Sequence, residues 1–492
     1  MGSLSLRRQD HRRAAVPIVE AVQRYLASDP KRFHVPGHKG SLGAPPAVRE
    51  LLGARVFDAD LTELPGLDDL HEPSGPIRDA EALLAELKQA DHALFLVGGS
   101  SAGLLGLMIA LVAPGDRVLV HRNCHRAVMA GLILTGANPV YLLPRCHQDW
   151  AMDLLVEPEE YVQAAERYPD ARLAIMLHPS YYGVVCSLRD AIGKLRYRGV
   201  TVIVDEAHGA HFGFHPKLPQ SAYTQGADAV VQSAHKSLGA LTGGAWLLAR
   251  EGSVDVHRLR SALRLIQTSS PSYPLLASLD AARAWAYAEG REVWGRVLDC
   301  ARRLKDLLCG VKGLRVLRDE DVGRWGFSID PTRLTFTLAP LGWDARRVDE
   351  HLRTDFGVFV EMQDGRNLLC ILGPGDWWGS PSISRLIEAL QSLAHCPQSG
   401  MLPDLPCAPP LPKQVLSPRE AYFAPSERVP LARAAGRVAA QLITPYPPGT
   451  PVLCPGEEIT PQHIEYIQGM SARGVRFVGL DEASRLTVVA GT

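Results

Sequence analysis

Two stretches decide the fold of this chain: Thr201-Val202-Ile203-Val204-Asp205-Glu206-Ala207-His208, and downstream Ala229-Val230-Val231-Gln232-Ser233-Ala234-His235-Lys236-Ser237-Leu238. Each opens with a short apolar, β-branched run that does not alternate with polar residues. That is the pattern of a strand buried on both faces, as in a parallel sheet covered by helices. Each run ends on residues that carry chemistry, an acid in the first and a His-Lys pair between small hydroxyl residues in the second. Ligands of such sheets bind beyond the carboxyl ends of the strands, so Asp205 and Lys236 are expected to face one site.

Working outward, helix and strand alternate from about residue 79. Helix 79–90 leads to strand 93–97, helix 101–113, strand 117–121, a helix near 124–135, strand 140–143, a helix near 157–168, strand 173–177 and a helix near 187–198. Strands alternating with helices of this length predict right-handed βαβ units: an α/β fold with a mostly parallel sheet and helices on both faces. The strand ends carry Gly98–Ser101, His121–His125, His178–Tyr182, Asp205–His208 and Ser233–Lys236. After about 290 the order changes to strand 333–338, helix 345–355, strands 358–362 and 368–372, and an amphipathic helix 382–395. The expected organisation is a helical arm at 1–30, a large domain at 31–290, a small α+β domain at 291–396, a Pro-rich linker at 397–414 and a C-terminal α+β domain at 415–492. Residues 58–78 form a long irregular acidic segment whose interspersed leucines argue for packing.

The net charge of −1 gives no global attraction to nucleic acid or an anionic membrane, so neither partner is expected. Nine scattered cysteines, with no C-x-x-C pair and no zinc-like Cys/His spacing, read as free thiols in a reducing compartment and predict no metal site. The arginines near the start are not followed by a signal-peptide core, and Leu6 breaks the myristoylation pattern that Met1-Gly2 begins. The most apolar run, Leu104 to Ala113, is about half of the roughly 20 residues that span a bilayer. A cytoplasmic protein is expected.

Two motif look-alikes compete for the chemistry. Gly99-Ser100-Ser101-Ala102-Gly103 fits the G-x-S-x-G elbow of a serine hydrolase and lies between a strand and a helix. Small residues opening a helix serve equally well to bind phosphate through backbone N–H groups. Asp205-Glu206-Ala207-His208 spells a helicase box, but no phosphate-binding G-x-x-x-x-G-K-[ST] accompanies it, and that reading is rejected. Lys236 and Asp205 together meet two needs of pyridoxal-phosphate chemistry, an amine for the aldehyde and a carboxylate to keep the pyridine nitrogen protonated. His125 offers a flat partner for the ring, and Ser101, Ser233 and His235 offer donors for a phosphate dianion.

With these residues assembled, the chain resembles the ornithine/lysine/arginine decarboxylase family of fold-type-I pyridoxal-phosphate enzymes, in the short form without an N-terminal wing domain. The resemblance runs through Phe33-His34-Val35-Pro36-Gly37-His38-Lys39-Gly40, Asp60 to His71, Arg122-Asn123-Cys124-His125, Asp205 to His211, Ser233 to Ser237 and Gln267 to Tyr273. In the tail it includes Pro418-Arg419-Glu420-Ala421 and Tyr446-Pro447-Pro448-Gly449 to Pro455-Gly456-Glu457. It implies that Lys236 carries the cofactor, Asp205 pairs with its ring nitrogen and His125 stacks on the ring. It places Ser100, Ser101, Ala102, His208, Ser233 and His235 around the cofactor, and Ser269 at the phosphate of a partner subunit in a homodimer or higher homo-oligomer with shared active sites. The sequence departs from the family's pattern at Gly98, where Asn is usual, at Ala102, where relatives often carry a hydroxyl, and at His178.

The expected reaction is decarboxylation of a basic amino acid, arginine to agmatine favoured over lysine to cadaverine or ornithine to putrescine, feeding polyamine synthesis. The alternatives are a serine hydrolase using the Gly99-Ser101-Gly103 elbow and a cofactor-binding homologue without turnover. An acidic pocket must receive the substrate's distal cation, and Glu63, Asp68, Asp69 and Glu457 are the candidates. Lys236 and His235 are the candidate proton donors to the substrate carbon.

Overall fold

A computed structural model describes residues 12–398, 409–446 and 449–492. Residues 1–11 of the expected arm, 399–408 of the expected linker, and Pro447 and Pro448 of the tail motif lie outside the described residues. The chain divides into two compact units, one of residues 1–110 with 203–294 and one of residues 111–202 with 295–492.

In the first unit, strands run in the order His92–Leu96, Ala245–Ala249, Ala229–Gln232, Thr201–Asp205. The last two are parallel, with Asp205 level with Val231, so both chains leave the sheet at the same edge. Strand Ala245–Ala249 is antiparallel to both its neighbours. It follows so closely on Gly243-Gly244 that periodicity did not separate it from the preceding turn, and it begins where its neighbours end. Trp246 pairs with Gln232, and Ala245 pairs with Leu96. All four residues of Ala229–Gln232 and all five of Ala245–Ala249 are buried, which is why their sequences do not alternate. Helix Gly99–Leu111 lies tightly on this sheet: a Cβ on Gly103 would come within 2.7 Å of Leu96 and 2.8 Å of Val231.

The second unit holds parallel strands Asn138–Leu142, Arg117–His121 and Ala171–Leu177, with Arg117–His121 in the middle. Thr201 and Val202, the start of the strand that ends on Asp205, also fall in this unit. An antiparallel sheet of Arg315–Val316, Arg333–Thr337, Leu368–Ile371 and Met362–Gln363 carries helices Ala345–Phe356 and Pro381–Ala394. The strand expected at 358–362 is reduced to Met362–Gln363, because Val358 to Val360 run as irregular chain after the helix that Gly357 closes in a left-handed turn. Farther on, Leu431, Ile443, Leu453, Ile459, Ile467, Phe477, Leu486 and Val488 form a separate hydrophobic cluster among short strands and helix Pro461–Ala472. A single helix, Tyr273–Cys309, continues through residue 290, where a domain change was expected.

The architecture is α/β, with mostly parallel strands, a small α+β region and a further C-terminal α+β region. Among the described residues no helix is long and apolar enough to cross a membrane.

Candidate active site

The strand register gathers four chain segments at one edge of the first unit. Gly99 N donates to Gly243 O at 2.8 Å, which joins the turn before helix Gly99–Leu111 to the start of strand Ala245–Ala249. Glu206 N donates to Val231 O and Ser233 N to Ala207 O, so the chains leaving the two parallel strands continue to pair past the strand ends. Asp205, Ser233 and Lys236 are thereby set by backbone, before any side chain acts.

Lys236 sits in the one-turn helix Ala234–Ser237, and its Nζ lies 2.9 Å from His208 Nε2. Asp205 is 3% exposed and accepts from Ala207 N at 3.1 Å. Ser233 Oγ donates to Ser100 Oγ at 3.0 Å, so two hydroxyls meet at the N-terminus of helix Gly99–Leu111. Gly98 permits the tight approach, since a Cβ there would lie 2.9 Å from Ala102 Cβ. Ala102 itself is buried. His235 turns Nδ1 to Gly244 O at 2.9 Å, which fixes the ring by a backbone carbonyl. Ser269 is exposed, in the loop that Gln267 ties to the first strand by accepting from Val97 N.

A hydrolase elbow requires its serine on a strained strand-to-helix turn. Ser101 lies inside helix Gly99–Leu111, and the positive φ in the stretch belongs to Gly99 (φ 69). Gly99 is needed for the turn and Gly103 for close helix–sheet packing, which accounts for the G-x-S-x-G spacing without a nucleophile.

Behind the site lies a buried polar network that sequence reading missed. Glu206 is fully buried and accepts from Ser221 Oγ and Ala222 N, each at 2.7 Å, and from Gln232 Nε2 at 2.5 Å. It therefore ties the end of one parallel strand to the end of the other. Lys88, the last residue of helix Pro76–Lys88, donates to Ala210 O at 2.6 Å. Burial pulls its amine down to about 7, against the opposing pull of the Glu206 charge. The available signal was a Glu directly after a strand-end Asp, but the helicase-box spelling offered a different explanation for it.

The acidic candidates separate by what they already hold. Asp68 is buried, and its carboxylate accepts from Ser74 N, Gly75 N and Ile77 N at 2.7–3.0 Å, closing the loop and the start of helix Pro76–Lys88. Asp69 and Glu63 are exposed, with Asp69 accepting from His71 N and Glu63 from Thr62 Oγ1. Glu457, in the second unit, is 1% exposed and committed at both oxygens to Arg122, at 2.5 and 2.8 Å. Asp68 and Glu457, two of the candidates for the substrate cation, are thus already engaged, Asp68 by backbone amides and Glu457 by a guanidinium. His125, also in the second unit, caps helix Arg126–Thr135 by accepting from Ala127 N at 3.2 Å. His178 is a buried histidine bonded through Nε2 to Cys186 O. Among the described residues no group of three or more His, Cys, Asp or Glu could hold a metal ion.

The donor set fits pyridoxal phosphate. An amine on a strand-end turn, a buried carboxylate on the neighbouring strand, and paired hydroxyls at a helix N-terminus match its aldehyde, ring nitrogen and phosphate. Fold and site together define the class, an α/β enzyme whose strand-end residues fit this cofactor.

Comparison with known proteins narrows the class. Residues 16–378 match the Orn/Lys/Arg decarboxylase major domain and residues 406–485 the Orn/Lys/Arg decarboxylase C-terminal domain, and the chain belongs to this family. It is 36% identical to the arginine decarboxylase of Bacillus subtilis over 461 residues, 92% of each chain. It is 34% identical to the arginine decarboxylase of Halalkalibacterium halodurans over 475 residues, 96% of each chain. The fold is similar to that of lysine decarboxylase A from Pseudomonas aeruginosa, with a TM-score of 0.84 at 23% identity, covering 98% of this chain and 81% of that one.

Proposed function

We propose that this chain releases CO₂ from arginine to give agmatine, with pyridoxal phosphate carried on Lys236. The chain is a basic-amino-acid decarboxylase by family. The observation that carries the cofactor reading is the convergence of Lys236, Asp205 and the Ser100–Ser233 pair at one sheet edge. Two relatives that match over 92% and 96% of each chain, at 36% and 34% identity, are named arginine decarboxylases, which supports arginine over lysine and ornithine.

When bound, the cofactor supplies an electron sink for the pair left at the substrate's α-carbon as CO₂ departs. This chain's residues do the rest. Lys236 would provide the amine that holds the cofactor. Buried Asp205 keeps a proton on the ring nitrogen, and the low dielectric around it strengthens that pairing. Ser100, Ser101 and Ser233, with the amides opening helix Gly99–Leu111, hold the phosphate, and Ala102 contributes backbone only. His125 is assigned to stack on the ring and His235 to stand beside the phosphate. Glu63 and Asp69, the exposed acids of the 60–72 loop, are the proposed receivers of the guanidinium.

A second copy of the chain completes the site in this proposal, with Ser269 reaching the partner's phosphate. Exposed Phe33, Val35, Leu42, Leu51 and Leu52 support such an interface, because this much apolar side chain on one stretch is costly in water. A cytoplasmic enzyme of polyamine synthesis completes the proposal.

The test is direct. Holoprotein should be yellow, and borohydride should bleach the visible band and leave the cofactor on the peptide containing Lys236. A panel of arginine, lysine and ornithine with product identification should show agmatine formed fastest, and Lys236→Ala should release no CO₂ from any of them. A colourless protein would sink the cofactor reading. A yellow protein inert to all three amino acids would instead mark a homologue without turnover.

A further inference from the structure

We propose that His208 is a catalytic residue, the base that takes a proton from the Lys236 ammonium and later returns it. The proposal rests on the reading of Lys236 as the cofactor-bearing amine. A lysine amine with an ordinary pKa near 10.4 is almost wholly ammonium at neutral pH and has no lone pair with which to attack an aldehyde. Covalent attachment, and reattachment after each product leaves, therefore needs an acceptor for that proton within hydrogen-bond reach. The imidazole is the side chain suited to accept and release it near neutrality.

His208 has that position: Nε2 is 2.9 Å from Nζ, and the residue is 7% exposed. In the step, one Nζ–H bond breaks with its electron pair remaining on nitrogen. The Nε2 lone pair forms the new N–H bond, and the positive charge passes from the amine to the ring. The same proton returns when the substrate amine displaces Lys236. Nε2 accepts when the ring proton is on Nδ1. His235, adjacent to Lys236 in sequence, has its Nδ1 on Gly244 O, so the neighbour expected to handle protons is anchored to backbone.

The surroundings hold His208 in place from both sides. Glu206, two residues before it, is clamped by Ser221, Ala222 and Gln232. Ala210, two residues after it, is clamped by Lys88. Between them Gly209 makes a turn so tight that a Cβ would meet Glu206 Cγ at 2.6 Å and the Phe212 ring at 2.8 Å. Two buried charged residues thus fix a five-residue segment whose central side chain touches the amine. A histidine that merely filled space would not need its ring nitrogen on Nζ.

The experiment adds pyridoxal phosphate to apoprotein and follows growth of the visible band by stopped flow, alongside CO₂ release from arginine. His208→Gln keeps a polar group able to hydrogen-bond Nζ but unable to carry a proton. It should reach the wild-type cofactor content at saturation, while band growth and kcat both fall about a hundredfold. In His208→Ala, added imidazole should restore both rates in proportion to its concentration. Band growth and kcat within about threefold of wild type in His208→Gln would overturn the proposal. So would an absence of imidazole rescue in a folded His208→Ala that still binds cofactor. If wild-type protein itself forms no visible band, the cofactor reading fails, an outcome distinct from failure of His208.

Discussion

Two buried basic side chains, one in each unit, solve the same problem in opposite ways. Arg122 meets Glu457 through two parallel bonds, and its remaining donors reach Pro451 O and Val452 O. Glu457 uses a lone pair on Cys454 N as well. Lys88 lies near Glu206 but spends its amine on Ala210 O, while the Glu206 oxygens go to the neutral donors Ser221, Ala222 and Gln232. The guanidinium matches the carboxylate fork to fork and stays charged at any working pH. The ammonium has no such match, and burial brings it to about 7. One device locks the C-terminal segment to the strand-end loop that carries His125. The other leaves a titratable group under the loop that carries His208.

Breaking the locked pair should have the largest effect. Arg122→Met leaves Glu457 buried and charged without its partner, and Glu457→Gln leaves Arg122 in the same state. Each should lower unfolding free energy by about 3–5 kcal/mol in urea denaturation. The double variant Arg122→Met with Glu457→Met should recover a large part of that loss, because it removes both desolvated charges. Arg122→Lys should not restore stability, since a single ammonium cannot make the two parallel bonds. Single variants within about 1 kcal/mol of wild type would remove the distinction between lock and titratable group.

How far the sequence could foretell this contrast depends on what each residue leans on. The placement of Asp205 and Lys236 was legible because a fully buried strand writes itself as an unbroken apolar run, and each residue stands at or just past the end of one. Strands 117–121, 201–205 and 229–232 lie where their β-branched residues placed them. Strand Ala245–Ala249 was not legible, since Ala and Leu suit a helix as well as a strand and its pairing is decided by partners far away in sequence. The roles of Asp68 and Glu457 were not legible either. A carboxylate reads the same whether it awaits a substrate cation or already holds the amides of Ser74, Gly75 and Ile77 or a guanidinium, and only the fold brings those donors to it. Lys88 and Glu206 are distant in sequence, and neither residue type signals burial.

The titratable half of the comparison can be sharpened with pH. The unfolded Lys88 amine titrates near the ordinary lysine value of 10.5 and the folded one at about 7, so between those values the unfolded chain binds the extra proton. Unfolding free energy should therefore rise with pH from 7 toward 10.5, by up to about 1.4 kcal/mol per pH unit, and should carry no Lys88 slope below 7. Lys88→Met should lose that slope between pH 7 and 9 while the Arg122 variants keep it. Parallel stability profiles for wild type and Lys88→Met over that range would show that Lys88 does not titrate there.

The smallest effect separates two neighbours in the acidic loop, and it tests whether a carboxylate already engaged by backbone is available for substrate. Asp68 holds the amides of Ser74, Gly75 and Ile77 at the start of helix Pro76–Lys88, the helix whose last residue is Lys88. Asp68→Ala should cost about 1–2 kcal/mol of stability, the usual penalty for removing a helix N-terminal acceptor. Because Lys88 grips Ala210 from the far end of that helix, part of the loss should also appear as a slower cofactor attachment rate. Asp69 bonds one local amide and faces solvent, so Asp69→Asn should leave stability within about 0.5 kcal/mol. Its effect should fall instead on the KM for arginine, with kcat nearly unchanged, as expected for a group that attracts the guanidinium equally in the ground and transition states. An unchanged KM in Asp69→Asn, with Glu63→Gln equally silent, would move the search for the cation's receiver away from this loop and onto the partner subunit.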